Sequence, residues 1–269
     1  MSGSSKLNRY GRIIERVFLN KHVPGAQSVP FERHDIALAA AELGIELPKN
    51  LGDLLYSFRY RSDLPAKIAR CAPRGKQWVI LPRGRSCYAF VATEIARILP
   101  RPGLAVTKIP NATPGVIDLY SLDDEQALLA QLRYNRLLDI FTGVTCYSLQ
   151  SHLRTTVSGI GQIETDEVYI GMDRHGAHYV FPVQAKGGRD SISVVQIAQD
   201  FAMCETKPKF RDLVCRPVAA QFLADGVIAL FEVQRSREGF AICEERHYRL
   251  VPAEALSPAE LAAYRARLG

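Results

Sequence analysis

The sequence predicts an α/β protein (α+β overall) in which a mixed β-sheet flanked by helices follows a smaller domain of helices and a β-hairpin. Three observations predict this class: helical apolar spacing early in the chain, a hairpin pattern around residue 85, and strand patterns enclosed by helices after residue 119. The stretch 100–118 is rich in Pro and Gly, as interdomain connections are. We therefore predict domains at 1–105 and 119–269.

The first domain is predicted to contain three helices and then a hairpin. Apolar residues recur at helical spacing, and the turn PRGRS separates two apolar runs, WVIL and CYAFVA. The predicted elements are helices at 9–21, 31–43 and 50–61, the last capped by Asn50, and strands at 78–81 and 87–92. This order is typical of a winged helix, whose third helix faces the DNA major groove and whose hairpin forms the wing.

The second domain is predicted to alternate helices with groups of strands. A long amphipathic helix begins it, and a capping box at Ser257 and Glu260 opens the last helix. The predicted elements are a helix at 123–141, strands at 144–157, 162–170 and 179–186, a helix near 191–204, strands near 213–222, 227–233 and 240–250, and the final helix. Strands in groups separated by a helix indicate a mixed sheet.

Basic residues are concentrated in the first domain. Residues 1–110 contain 18 Lys and Arg against 8 Asp and Glu, a balance of +10, whereas residues 111–269 contain 16 against 20, a balance of −4. A basic domain favours a polyanion such as DNA, because each neutralised phosphate releases counterions. Clustered carboxylates in the acidic domain can bind a divalent cation. Ordinary solvated surface is the alternative for both.

Several classes of protein are not indicated. No apolar run approaches the roughly 20 residues that span a bilayer, and the first residues lack the apolar core of a secretory signal, so we expect a cytoplasmic protein with no membrane partner. Six scattered cysteines without a C-x-x-C pair argue against a zinc or disulfide framework. Motifs of serine hydrolases and nucleotide-binding loops are missing. His175 and His178 are spaced H-x-x-H, but they fall in a predicted turn.

Two successive strands carry the strongest functional signal. Alternation in GQIETDEVYIG predicts two faces: Gln162, Glu164 and Asp166 on one, and Ile163, Thr165 and Tyr169 on the other. In YVFPVQAKGG, Gln184 and Lys186 share a face, and Phe181, Val183 and Ala185 form the apolar one. Pairing of the two strands as a hairpin brings the acids near Gln184 and Lys186.

Such a group suits hydrolysis of a phosphodiester bond. Carboxylate and carbonyl oxygens are the ligands that Mg²⁺ prefers, and the metal can activate a water and offset charge that develops on phosphorus. A neighbouring lysine can position or deprotonate that water. Gly187 and Gly188 leave room for a sugar-phosphate backbone.

This arrangement resembles the PD-(D/E)xK nucleases, which include type II restriction enzymes and junction resolvases. Their signature is an acid on one strand and (D/E/Q)-x-K on the next, and here Asp166 precedes Gln184-Ala185-Lys186. The QAK form is similar to Mrr-type restriction nucleases, whose N-terminal domain is also winged-helix-like. The resemblance covers roughly the last 140 residues in element order. It departs from the family at Gln184, where an acid is more frequent, and at Thr165, which precedes Asp166 in place of proline.

The resemblance implies a restriction-endonuclease-like fold and Mg²⁺-dependent, sequence-specific cleavage of double-stranded DNA. Asp166 with Glu164 would hold the metal, Gln184 and the Ala185 carbonyl would complete its shell, and Lys186 would orient the attacking water. A homodimer is expected, because palindromic sites match a two-fold axis. A cognate DNA methyltransferase would be a separate partner.

DNA contacts are predicted at three places. The block SFRYR interleaves aromatic residues with arginines, the hairpin turn carries two more arginines, and the first strand of the second domain aligns polar residues on one face. The candidates are Arg59, Arg61, Arg83, Arg85, Gln150, His152 and Arg154. Solvated surface is the alternative for the arginines, and a structural role is the alternative for His152.

Two other functions stay open at this point. A winged-helix regulator could keep the nuclease fold without cutting, and Gln184 keeps that alternative alive. A nuclease specific for junctions or flaps is the second. Two details are also open: Glu164 is either a further metal ligand or a surface residue, and Gln196 on the following helix is turned either toward the site or away from it.

Overall fold

The structure is a computed structural model that describes residues 8–47, 51–120, 125–188, 190–236 and 239–268. The first part of the chain forms a helical layer packed on a small sheet. Its elements are α1 (Arg9–Lys21), β1 (Ser28–Glu32), α2 (Arg33–Glu42), α3 (Leu51–Tyr56), a π-helix (Ser57–Arg61), α4 (Ala66–Arg70), β2 (Gln77–Gly84), β3 (Cys87–Thr93) and β4 (Arg97–Ile98).

A three-stranded antiparallel sheet supports the first part. The strand order is β1-β3-β2, so the predicted hairpin of β2 and β3 is confirmed and β1 lies beside it at an edge. Phe18 of α1 packs against Phe90 of β3 and Trp78 of β2, with ring centroids 5.0 and 5.3 Å away. These aromatic contacts join helix and sheet in one apolar core.

The second predicted helix begins later than the sequence indicated. Residues 31 and 32 belong to β1, and α2 begins at Arg33 because Glu32 and Asp35 form a capping box, in which the Glu32 amide donates to Asp35 at 2.6 Å. The third helix was predicted as one element, but its last five residues form the π-helix. The predicted cap, Asn50, lies outside the described residues.

The second part of the chain forms a large mixed sheet with helices on both faces. Its elements are β5 (Val106–Pro110), α5 (Gly115–Tyr120), α6 (Glu125–Tyr134), α7 (Leu137–Thr142), β6 (Thr145–Val157), β7 (Gly161–Met172), β8 (His178–Lys186), β9 (Ile192–Ser193), α8 (Val194–Thr206), β10 (Val214–Cys215), β11 (Val218–Phe222), β12 (Val227–Ser236), β13 (Gly239–Val251) and α9 (Pro258–Arg265).

The order of the large sheet is β5-β13-β12-β11-β8-β7-β6, with β10 also paired to β8. Strand β8 runs parallel to β10 and β11, and β5 runs parallel to β13, whereas the other pairs are antiparallel. Leucines of α6 and α7 pack on one face, against Phe181, Val183 and Ala185, and α8 covers the other face. The predicted mixed α/β sheet with flanking helices is confirmed.

Two details of the second part differ from the prediction. The helix expected at 123–141 is two helices, because Arg136 adopts a left-handed conformation (φ 49°) between them, and residues 123 and 124 lie outside the described part. The segment 100–118, expected to be a connection, contributes β5 to the edge of the large sheet, and its Pro- and Gly-rich residues flank that strand.

The two parts of the chain are packed against each other. Strand β4 pairs with β9, and the amide of Val194 at the start of α8 donates to the Ala96 carbonyl at 3.0 Å. Val79 of β2 belongs to the same apolar cluster as Val194 and Val195 of α8. The two predicted domains therefore bury part of their surfaces against each other. Within the described residues, no helix has the length and apolar character required to cross a membrane.

Candidate active site

The candidate site lies where β7 and β8 stop pairing. The two strands are paired from Met172 and His178 as far as Glu167 and Val183, which confirms the predicted hairpin. Beyond that point a side chain replaces the backbone pairing, because Oδ2 of Asp166 accepts a hydrogen bond from the Ala185 amide at 2.8 Å. Asp166 therefore stands between the two diverging strand ends.

Side-chain alternation shifts along β7 at the same place. Thr165 donates to Asp200 of α8, whereas Tyr169 packs with the α6 and α7 cluster, so these residues lie on opposite faces of the sheet. The prediction that Thr165 and Tyr169 share a face is wrong. The reason is a phase shift between residues 165 and 167, and Asp166 lies at its centre. Glu167 points toward α6, where its carboxylate pairs with Arg133.

Burial governs the protonation of Asp166. Burial of the carboxyl raises its pKa, while the amide of Ala185 and the ammonium of Lys186 act in the lowering direction. The nearby carboxylate of Glu125 adds to the rise, and the net pKa is above the usual value. An added cation would favour the charged carboxylate here.

Lys186, the predicted catalytic lysine, forms an ion pair with a residue that the sequence reasoning missed. Its Nζ lies 2.6 Å from Oε1 of Glu125, at the first residue of α6. Glu125 belongs to an acidic run, DDE, and acidic residues at the start of a helix are common because they stabilise its N-terminus. The run by itself therefore does not indicate a functional site. Only the fold brings the start of α6 against the ends of β7 and β8.

Gln184 is turned away from the cleft into a buried polar cluster. It is 1% exposed, its Nε2 donates to both Asp200 oxygens at 3.2 and 3.0 Å, and its Oε1 accepts from Gln196 at 2.9 Å. Gln196 therefore points back at the QAK strand. Asp200 was not predicted from the sequence, although an aspartate within the apolar helix VVQIAQDFAMC is an unusual feature that indicates a special role.

The remaining predicted residues of the second part are partly brought together. Glu164 is exposed and lies 3.2 Å from Arg154 and 3.5 Å from His152. His152 has a left-handed backbone (φ 48°), and β6 has a bulge between Ser148 and Gln150, so the single polar face expected for Gln150, His152 and Arg154 does not form. Gln150 does not line the cleft described next.

A cleft of about 1440 Å³ lies between the two parts of the chain and contains the candidate site. Its walls hold eight predicted residues in one space: Arg59, Arg61, His152, Arg154, Glu164, Asp166, Gln184 and Lys186. Gln162 also lines it. Arg83 and Arg85 do not; they lie exposed at the far end of the β2–β3 hairpin. The predicted DNA contacts are therefore divided between two surfaces.

The chemistry of the donor atoms fits a hard cation. Carboxylates of Asp166, Glu164 and Glu125 and the carbonyl of Ala185 supply the oxygen ligands that Mg²⁺ prefers. Within the described ranges, no three His, Cys, Asp or Glu side chains converge closely enough to form a ready metal cage. Glu125 and Glu164 are instead paired with cationic side chains that a metal would have to replace.

Comparisons with known proteins do not assign the chain to a family. No protein-family model matches the chain, and no curated protein matches it significantly in sequence.

Asp200 makes the stability of the protein depend on pH. Complete burial raises its pKa to about 7, above the unfolded value near 3.9, so the carboxyl takes up a proton more readily in the folded chain. The corresponding stabilisation is full below about pH 4 and is lost as the pH rises toward 7. We expect Asp200→Asn to flatten this dependence, because its neutral amide does not titrate.

Urea titrations of both proteins between pH 4 and pH 8 measure this difference. Asp212→Asn is the matched control, because that side chain is 83% exposed. Parallel stability profiles for wild type and Asp200→Asn would contradict the buried, protonated carboxyl.

Proposed function

We propose that this protein is a Mg²⁺-dependent endonuclease that hydrolyses double-stranded DNA at specific sequences, in the manner of type II restriction enzymes, and acts in the cytoplasm as a homodimer. The observation that carries the proposal is the position of Asp166 between the diverging ends of β7 and β8, with Lys186 in the same cleft. A partly buried acid beside a lysine at a strand break is what metal-assisted phosphodiester hydrolysis requires.

The second part supports a restriction-endonuclease-like fold. Helix α6 precedes the three antiparallel strands β6, β7 and β8, and α8 connects β8 to the parallel strand β11. The candidate residues lie at the ends of the central strands, where polar side chains from several elements can converge. The same order of elements accompanies the Asp166 and Gln184-Ala185-Lys186 signature on which the resemblance to the PD-(D/E)xK nucleases is based.

The first part supports a winged-helix DNA-binding domain. Its order α1, β1, α2, α3, β2, β3 and the sheet order β1-β3-β2 agree with that fold, with α4 as an addition. Arg83 and Arg85 at the exposed hairpin tip suit contacts with DNA phosphates. Neutralising phosphates would give binding a strong salt dependence.

In this proposal the chain holds the metal and positions the water and the phosphate. Asp166, Glu164 and Glu125 would hold Mg²⁺ with the Ala185 carbonyl, and Gln184 could join them only by releasing Gln196. Bound Mg²⁺ would lower the pKa of a water and offset negative charge on the phosphate. Lys186, released from Glu125, would hold the attacking water and contact the phosphate, while Arg154 balances Glu164.

The test is incubation of the purified protein with long mixed-sequence DNA in millimolar Mg²⁺ or in EDTA, beside Lys186→Ala. We expect discrete fragments from the wild type in Mg²⁺ alone and none from Lys186→Ala. Lys209→Ala, outside the cleft lining, is the matched control and should cut normally. Unmodified, methylated and branched DNA are included, because cutting of branched DNA alone would instead indicate a junction or flap nuclease.

A DNA-binding regulator without nuclease activity is the second candidate. The hydrogen bonds that tie both ends of the Gln184 amide to Asp200 and Gln196 favour it, because they direct this side chain away from a metal in the cleft. DNA binding without cleavage of any of the three substrates, in the presence of Mg²⁺, would replace the nuclease proposal with this one.

A further inference from the structure

The cleft contains two arginines that have no acidic partner within the described residues. Three of its cations are ion-paired: Arg97 with Asp63, Arg154 with Glu164 and Lys186 with Glu125. Arg59 and Arg61, by contrast, have no such ion pair in the part of the chain that the structure describes. Both belong to the π-helix, a rare backbone form that recurs at functional sites.

Arg59 is the more unusual of the two. Its Nε and Nη2 are buried and make no hydrogen bond to any described atom. Leaving donors of a charged group buried and unsatisfied is costly, so such a guanidinium favours an external acceptor. A phosphate oxygen pair matches the fork formed by Nε and Nη2, and the guanidinium, which lines the cleft, would turn outward to present that fork to a ligand. The geometry thus points to an anionic ligand at this wall of the cleft.

Aromatic rings lie beside the two arginines in a series of contacts that ends in a stack of Arg61 on Tyr56; the Tyr56 and Tyr60 rings are tilted by 54° to each other. The Arg59 guanidinium lies 4.9 Å from the Tyr60 ring, Tyr60 lies 4.8 Å from Tyr56, and Arg61 lies 4.9 Å from the other ring, that of Tyr56. Tyr60 is held in place because its hydroxyl and the Gln199 amide are 2.9 to 3.1 Å apart. Tyr56 is 48% exposed and Arg61 is exposed. The outer end of the stack is therefore open to a planar ligand.

The size of the cleft limits what that ligand can be. Pockets for small molecules measure about 300–1,000 Å³, so a cleft of about 1440 Å³ suits a longer ligand such as a nucleic acid strand. A duplex would have to enter the same space as two paired strands. Bases in a duplex also stack on each other, and their faces are not available to Tyr56 and Arg61. Bases of an unpaired strand do expose their faces, and proteins bind them by aromatic and arginine stacking.

We infer that the interdomain cleft binds an unpaired DNA strand, with a phosphate on Arg59 and a base stacked on the Arg61–Tyr56 pair. The inference rests on the proposed nuclease function for what happens to that strand, and it requires that the double-stranded substrate open locally where one of its strands enters the cleft. The hairpin tip remains the surface for paired DNA. The strand then continues from the stack toward Asp166 and Lys186 along the same cleft.

Binding is measured by fluorescence anisotropy of the full-length protein in EDTA, with labelled oligothymidylate and with a duplex of equal length. We expect Tyr56→Leu and Arg61→Ala each to weaken oligothymidylate binding by roughly tenfold, as stacking contacts do, with a much smaller effect on the duplex. Arg59→Gln is expected to reduce the slope of log affinity against log salt by about 0.7, the value for one phosphate of a single strand. Tyr120→Leu and Arg211→Ala are matched controls outside the cleft.

A second readout reports stacking directly. An oligonucleotide with one 2-aminopurine should lose fluorescence on binding to the wild type and keep it with Tyr56→Leu. Equal affinity of Tyr56→Leu, Arg61→Ala and wild type for oligothymidylate would overturn the inference, as would binding of the duplex alone. The binding assay needs neither metal nor cleavage, so the two proposals can fail separately. A protein that binds the single strand but cuts no DNA would contradict only the proposed nuclease function. A protein that cuts duplex DNA, but whose Tyr56→Leu and Arg61→Ala variants bind oligothymidylate as tightly as the wild type, would contradict only this inference.

Discussion

Asp166→Asn is expected to reduce the rate of Mg²⁺-dependent DNA cleavage by about 10²–10³-fold, or about 3–4 kcal/mol in transition-state stabilisation. In the wild type, Asp166 accepts a hydrogen bond from the Ala185 amide at 2.8 Å. The asparagine oxygen can still accept this bond, so the ends of β7 and β8 keep their contact. What disappears is the negative charge. Since charge is what holds a divalent cation, the variant separates the proposed metal-binding role of Asp166 from its structural role.

The rate is measured as single-turnover cleavage at saturating protein, over a range of Mg²⁺ concentrations. Asp212→Asn is the isosteric control, at an aspartate 83% exposed and outside the cleft. Because the pKa of Asp166 lies above its usual value, wild-type cleavage should also fall as the pH is lowered. An Asp166→Asn protein that cuts within threefold of the wild type would remove Asp166 from the site.

Arg133→Met is expected to lower the free energy of unfolding by about 3 kcal/mol. Arg133 donates to Glu167 Oε1 from Nε at 3.1 Å and from Nη2 at 2.6 Å, and Glu167 is 0% exposed. The other oxygen of Glu167, Oε2, is buried without a hydrogen bond in the described structure. Without Arg133, the hydrogen bond from the Ser148 hydroxyl to Oε1 at 2.5 Å would be the contact that still stabilises the carboxylate. Removing one member of such a pair costs about 3–5 kcal/mol, and the 41% exposure of Arg133 favours the lower value.

Urea titration at pH 7 tests this result. In the double variant Arg133→Met with Glu167→Gln, about half of the loss should return, because a neutral amide is less costly to bury than a charge. Arg211→Met removes the exposed pair with Asp212 and should change the stability by less than about 0.5 kcal/mol. A loss at Arg133 no greater than that at Arg211 would show that the buried carboxylate is supported in another way.

Local patterns in the sequence were sufficient for most of the large sheet. Alternating and apolar runs predicted β6, β7 and β8, and the capping box at Ser257 and Glu260 forms as expected, with the Ser257 hydroxyl accepting from the Glu260 amide at 3.2 Å. Strand β1 was missed because it contains Pro30, which indicates a turn or connection. The proline is tolerated there because β1 is an edge strand.

For the candidate site, the sequence was sufficient to predict the pairing of adjacent strands but not the packing of distant helices against them. Asp166 and Lys186 come from adjacent strands, so hairpin pairing alone brings them together. Glu125 and Asp200 reach the site from helices 61 and 16 residues away from their partners Lys186 and Gln184, and no local pattern gives that packing. The phase shift at Asp166 was also hidden, because regular alternation was assumed throughout β7.

The hairpin of β2 and β3 has a further consequence for the length of DNA that the protein would cover. Gln77 at one end of β2 lines the cleft, and Gly84 at the other end adjoins the exposed Arg85. Seven steps along a strand span roughly 23 Å, which corresponds to about seven base pairs at 3.4 Å each. If the protein is the proposed homodimeric nuclease, its footprint should extend from the scissile bond by at least that distance, and shortening the hairpin should shorten the protected segment on both sides, because the two copies are related by a two-fold axis.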